Sequence, residues 1–222
     1  MPFQKFINRY QAARLLLAEP EISRYRNASD TLILAIPRGA LQMGEVFHDK
    51  LGLPLDIIGT KKIPHPFNEE LAIGAVGPYG IFFVDTVSFP DIPSEYVEKE
   101  RRRLENAIAK RYASYRGSDK FPVLRNKTII LVDDGLATGS TMLAAIQVVR
   151  TQNPARIVVA VPVSPQDTLE KIRKALKTVD SVVCLFVPPV FHAIGEFYDD
   201  FPQVEDEEAI EILKRCRSEN VL

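Results

Sequence analysis

The sequence predicts an α/β domain built on a mostly parallel sheet flanked by helices on both faces. Short, wholly apolar runs such as residues 129–132 read as strands covered on both sides, not as the alternating strands of a one-sided sheet. Stretches of helical periodicity separate these runs, which is the alternation that parallel crossovers require. Tight turns of Gly, Pro and small polar residues follow the strands directly, as in Pro37-Arg38-Gly39-Ala40. A chain of 222 residues accommodates one such domain, residues 1–222, and can bury most of its apolar surface.

Residues 6–18 carry apolar side chains at helical spacing and stop at Pro20, predicting an amino-terminal helix. Residues 31–36 read as the first core strand, which turns through Pro37–Ala40 into a helix over 41–51. The next strand is 55–59, with Lys61 and Lys62 immediately after it. Between 64 and 80 the chain is punctuated by Pro, Asn and Gly, predicting a flexible loop that leads into a hairpin of 71–76 with 81–84. Residues 93–115 are strongly charged and helical in pattern, with a narrow apolar seam of Tyr96, Leu104, Ile108 and Tyr112 or Tyr115. Beyond the strand 129–132 and a helix over 141–149 come a strand at 157–161, a helix at 168–176 and a strand at 181–186.

The run around residues 128–142 concentrates the chemistry. An apolar strand ends in two carboxylates, Asp133 and Asp134, and then in the small-residue segment Gly-Leu-Ala137-Thr138-Gly139-Ser140-Thr141 that opens a helix. The carboxyl end of a strand and the amino end of a helix are where open α/β sheets bind ligands. Free backbone N–H groups point outward there, the helix dipole adds roughly +0.5 of an elementary charge, and Gly139 admits close approach of a phosphate. The two acids repel a phosphate, so their partners are neighbouring hydroxyls or a divalent cation; a ribose phosphate offers hydroxyls and phosphate together. The run is neither a Walker loop nor a dinucleotide glycine motif.

These residues resemble the ribose-phosphate signature of type I phosphoribosyltransferases, enzymes that use 5-phosphoribosyl 1-pyrophosphate. The resemblance implies that Asp133 and Asp134 hold the ribose hydroxyls and that Ala137, Thr138, Gly139, Ser140 and Thr141 hold the 5-phosphate. It implies a pyrophosphate contact from the backbone of Arg38 and Gly39, often through a non-proline cis peptide. Lys61 and Lys62 match a basic pair that contacts pyrophosphate or its metal, with either one as the acting residue. Mg2+ is the implied cofactor, bound by Asp133 and Asp134 directly or through water or the ribose hydroxyls. In the implied fold the core spans residues 28–187, a small hood comes from 1–27 and 188–222, and a hairpin with a flexible loop is inserted.

The segment 188–201 looks like the hood in which 6-oxopurine members of the family stack the base, making Phe191, Phe197, Tyr198 and Asp199 acceptor-pocket candidates. The aromatic spacing differs by one residue, and an ordinary cap on the core is the competing reading. Those members also carry an additional aspartate three residues after the second acid, where Ala137 stands here. The implied donor is therefore defined and the acceptor base is open.

Formal net charge is −1, giving no electrostatic reason to expect nucleic acid or an anionic membrane. Arg101-Arg102-Arg103 lies beside Glu98, Glu100 and Glu105, the composition of a solvated helix face. A sensor that binds nucleic acid through those arginines and a sugar-phosphate hydrolase remain the rival readings. The two cysteines, Cys184 and Cys216, read as free thiols; His65 reads as a loop histidine that could serve as a general acid or base, and His192 equally as a member of the acceptor pocket or of an ordinary cap. Neither a signal-peptide core nor a bilayer-length apolar run is visible, so the expected compartment is the cytoplasm. The family resemblance adds a homodimer as an expectation.

Overall fold

The computed structural model describes residues 5–116 and 121–218. Five parallel strands, β1 (Thr31–Ala35), β2 (Leu55–Ile57), β6 (Thr128–Val132), β7 (Arg156–Val163) and β8 (Ser181–Phe186), form the central sheet in the order β2-β1-β6-β7-β8. Three further strands, β3 (Lys61–His65), β4 (Asn68–Val76) and β5 (Phe82–Val84), form a separate antiparallel sheet. The helices are α1 (Arg9–Ala18), α2 (Pro20–Ser23), α3 (Ala40–Leu51), α4 (Ser94–Arg116), α5 (Ser140–Thr151), α6 (Gln166–Ala175) and α7 (Asp206–Ser218).

Both faces of the central sheet are covered, as the unbroken apolar strands require. Ile33, Ala35, Ile130 and Val132 enter one hydrophobic core with α1, α3 and α7, whereas Leu32, Leu34, Ile129 and Leu131 enter the other with α5. From β1 the chain crosses to β2 on one side, and from β6 it crosses to β7 and β8 on the other. The direction of winding therefore reverses between β1 and β6, which are paired in register from Thr31–Thr128 to Ala35–Val132. A crevice opens at the carboxyl ends of such neighbouring strands.

Two stretches differ from the sequence expectation. Residues 64–70, expected as a flexible loop, largely join a three-stranded sheet: β4 starts at Asn68, and β3 pairs with it from Lys61–Val76 to His65–Asn68. Pro64 cannot donate to a regular ladder, and the register shifts on both sides of it. Helix α7 had no place in the sequence reading; its buried Ala209, Ile212, Leu213 and Cys216 follow the i, i+3, i+4, i+7 stripe of an amphipathic helix. The hood forms from both chain ends. Phe6 N–H donates to the Phe197 carbonyl at 2.9 Å, and Asp199 N–H donates back to the Phe6 carbonyl at 2.8 Å.

Helix α4 clamps the two sheets together through phenol groups. Tyr96 Oη donates to the Pro64 carbonyl at 2.9 Å. Tyr112 Oη donates to the Ile57 carbonyl at 2.7 Å and accepts from Gly59 N–H at 3.0 Å, satisfying the chain as it leaves β2. Tyr112→Phe strands both backbone groups in a buried place. The expected outcome in urea unfolding is a loss of about 1–3 kcal/mol with an unchanged denaturant slope.

Candidate active site

Asp133 and Asp134 stand at the carboxyl end of β6. Asp133 N–H donates to the Ala160 carbonyl at 3.3 Å and Leu136 N–H to the Val163 carbonyl at 2.9 Å, which ties the segment to β7. Asp133 Oδ1 accepts the N–H of Asp134 at 2.9 Å. The segment Ala137–Thr141 then curls round a cavity of about 170 Å3, bounded also by both acids and Ile194. Gly139 caps α5 with φ +75° and no side-chain hydrogen bond of its own, and the Ser140 N–H of the first turn makes only a long bond of 3.4 Å to Thr138 Oγ1, which a ligand can displace. The Thr138 and Ser140 hydroxyls lie 3.0 Å apart. From behind, Thr168 Oγ1 donates to the Ala137 carbonyl at 2.7 Å and holds the cradle against α6.

The turn after β1 meets this cradle across the adjacent strands. Its Pro37–Arg38 peptide is cis, and Gly39 is the N-cap of α3. A Cβ on Gly39 would lie 2.2 Å from Asp134 Oδ2, so only glycine lets the turn and the acid come this close. The Arg38 guanidinium faces α7, with Nη1 3.0 Å from Asp206 and 3.5 Å from Glu205. What residues 38–39 offer the crevice is therefore chiefly backbone.

Arg9, which the sequence reading missed, completes the cluster. Its Nε donates to Asp134 Oδ2 at 2.8 Å, its Nη1 donates to the Pro202 carbonyl at 2.7 Å, and its guanidinium lies 3.7 Å from the Phe201 ring centroid. A local signal did exist: the buried residues of α1 are Arg9, Ala12, Ala13 and Leu16, so an arginine occupies the apolar stripe.

Burial, reinforced by the charge of Asp134, holds the Asp133 carboxyl well above the ordinary carboxylate range. Burial also raises Asp134, while Arg9 pulls it back down. Beneath the acids Tyr198 Oη donates to the Asp134 carbonyl at 2.7 Å. Burial raises that phenol, so it keeps its proton.

The two lysines separate. Successive residues of β3 point to opposite faces, and Lys61 borders a cavity of about 490 Å3 together with Pro37, Thr60 and Thr141. Lys62 borders a cavity of about 210 Å3 beside Ser140, Leu143 and Asp85, and another of about 600 Å3 with His65, Glu69 and Tyr96. Of the acceptor-pocket candidates, Tyr198 is buried and stacked on Phe201 at 4.6 Å between ring centroids, and Phe197 is buried with Phe191 stacked on it at 5.3 Å. Those rings pack on each other; Asp199 is exposed beside them. His65 Nδ1 accepts the Phe67 N–H at 3.2 Å within the β3–β4 turn, and His192 is exposed. Arg101, Arg102 and Arg103 are paired with Glu98, Glu105 and Glu100 of their own helix, which explains the cluster as a solvated face. Both cysteines are free, and no helix of the described residues is long and apolar enough to cross a membrane.

An acid whose folded value is raised contributes stability that is full below its unfolded value and is lost as pH climbs through the raised one. Asp133→Asn removes that loss. In thermal melts of the ligand-free protein the variant is expected to melt about 2–4 °C higher at pH 7.5, on the order of 1 kcal/mol. The gain should shrink toward pH 4.

A family model described as "Phosphoribosyl transferase domain" matches residues 8–201. Two Mycobacterium tuberculosis proteins, provisionally named as phosphoribosyl transferases, are 33% identical over 188 residues, which is 83% of this chain. The match covers 42% of the length of those relatives. The crystal structure of TT1426 from Thermus thermophilus superposes with a TM-score of 0.82 at 32% identity, covering 96% of this chain and 99% of that one. With its parallel sheet and the acid pair at the end of β6, the chain belongs to the phosphoribosyl transferase domain family.

Proposed function

We propose that this chain is a phosphoribosyltransferase whose donor is 5-phosphoribosyl 1-pyrophosphate and whose acceptor is a nitrogenous base or related nucleophile. The observation that carries this reading is the contact between Gly39 and Asp134 at the ends of β1 and β6. It brings the turn at residues 37–39, the acid pair and the segment 137–141 into one crevice, which supports reading them as the pyrophosphate, ribose and phosphate contacts of a single donor.

In this reading the amides and hydroxyls of Ala137–Thr141 take the 5-phosphate, with α5 directing its positive end at the charge. Asp133 and Asp134 orient the ribose by accepting from its hydroxyls. The anomeric C–O bond to pyrophosphate breaks as the bond to the acceptor nitrogen forms, and positive charge develops on the sugar. The carboxylates stabilise that charge, while the Arg38–Gly39 backbone and Lys61 receive the negative charge of the leaving group. Lys61 is chosen over Lys62 because its cavity also takes in Pro37 of the turn and Thr141 at the start of α5.

The donor set suits Mg2+ shared with the substrate. Asp133 and Asp134 supply two neighbouring carboxylates, and among the described residues there is no group of three or more metal-binding side chains. Mg2+ keeps several waters and takes phosphate oxygens readily, so an incomplete protein set is its usual situation. When bound, it would neutralise charge on the pyrophosphate.

Purified protein with Mg2+ and 5-phosphoribosyl 1-pyrophosphate is expected to release pyrophosphate only when a base from a panel is added. Release without any base would indicate the hydrolase, and tight binding without turnover the sensor. Failure to bind the sugar pyrophosphate at all would sink the proposal. Lys61→Ala should raise KM for the donor about 10- to 100-fold, the loss of one charged hydrogen bond, and Lys62→Ala less than about threefold.

A further inference from the structure

Arg9 is buried to 4% exposure, so the ligand cavity is not its partner. Its guanidinium is committed on three sides instead. One edge holds Oδ2 of Asp134, another holds the Pro202 carbonyl, and the plane lies over Phe201. A latch between the chain ends would need only the carbonyl and the ring. The additional 2.8 Å bond goes to an acid whose neighbour in the chain is a second partly buried acid. Nε of Arg9 also lies within 2.9 Å of where a Cβ of Gly39 would be, so this one cation touches the signature and the turn together.

We propose that Arg9 is a positioning residue for ribose recognition. It fixes Asp134 by one carboxylate oxygen and assigns the ribose hydroxyls to the other oxygen and to Asp133. It touches no part of the ligand and acts only through Asp134. The planar fork is what the task requires: lysine has one point of charge and cannot serve Asp134 and Pro202 in the same arrangement. This inference rests on the ribose-binding role proposed above for the acid pair.

The test is a binding cycle with three probes: 5-phosphoribosyl 1-pyrophosphate, ribose 5-phosphate and inorganic pyrophosphate, each with Mg2+. The proteins are wild type, Arg9→Met, Asp134→Asn and the double variant. Arg9→Met is expected to weaken both ribose-containing probes at least tenfold and pyrophosphate less than twofold. The double variant should bind ribose 5-phosphate within twofold of the weaker single variant, because Arg9 has no route to the ligand once Asp134 is neutral. Arg9→Lys keeps the charge in a smaller perturbation; its ribose 5-phosphate affinity should fall between those of wild type and Arg9→Met, and it provides the same cycle if the methionine variant does not fold. Equal weakening of all three probes, or losses that multiply in the double variant, would overturn the positioning role while leaving the donor assignment intact. A wild-type protein that binds none of the ribose probes would overturn the donor assignment, and this inference with it.

Discussion

Two carboxylates follow each other at the buried end of β6, and the structure is arranged around the cost of keeping them there. Removing a carboxylate from water is expensive, and a second like charge beside it adds to the penalty. Arg9 supplies one opposing charge at 2.8 Å. Tyr198 secures the backbone carbonyl of Asp134, and the Asp134 N–H in turn serves Asp133. What remains uncompensated is one carboxylate facing a cavity, which is the condition for binding hydroxyls or a cation strongly.

The parallel sheet makes that cavity possible. In-register neighbours β1 and β6 stop together, so their following turns meet edge to edge. Each turn opens a helix of twelve residues, and two helix amino ends therefore face one crevice. Phosphate at one end and pyrophosphate at the other would each meet backbone N–H groups, with the acids in the middle. Helix α4 limits the crevice on its open side by holding the exit of β2 through Tyr112.

The parts of this arrangement that depend on contiguous residues were legible in the sequence. The acid pair, cradle and glycine at 139 lie within a single run, and the strands flanking it announce themselves by unbroken apolar composition. Arg9 was not legible because its partner is 125 positions away, and a single arginine on an otherwise apolar stripe does not say which distant acid it meets. The separate placement of Lys61 and Lys62 required knowing that they lie on a strand, along which neighbouring residues border different cavities. Pro and Asn in residues 64–68 spoke for a loop, but pairing of β3 with β4 outweighed local propensity. Tyr198 was an acceptor-pocket candidate through the family resemblance alone; the structure buries it against Phe6 and Phe201, with its hydroxyl on the Asp134 carbonyl.

The pairing of the two chain ends bears on how the site comes into being during folding. The central sheet already pairs β1 with the distant β6, and Phe6 must reach further still to Phe197 and Arg9 to the Pro202 carbonyl 193 residues later. Closing so long a loop is entropically costly, and it is repaid only once the core between the ends is already ordered. The counter-charge of Asp134 thus comes to the site across a very long loop. Before that closure the chain carries an acid pair without its cation, and local opening of the same contact would strip the cation away again.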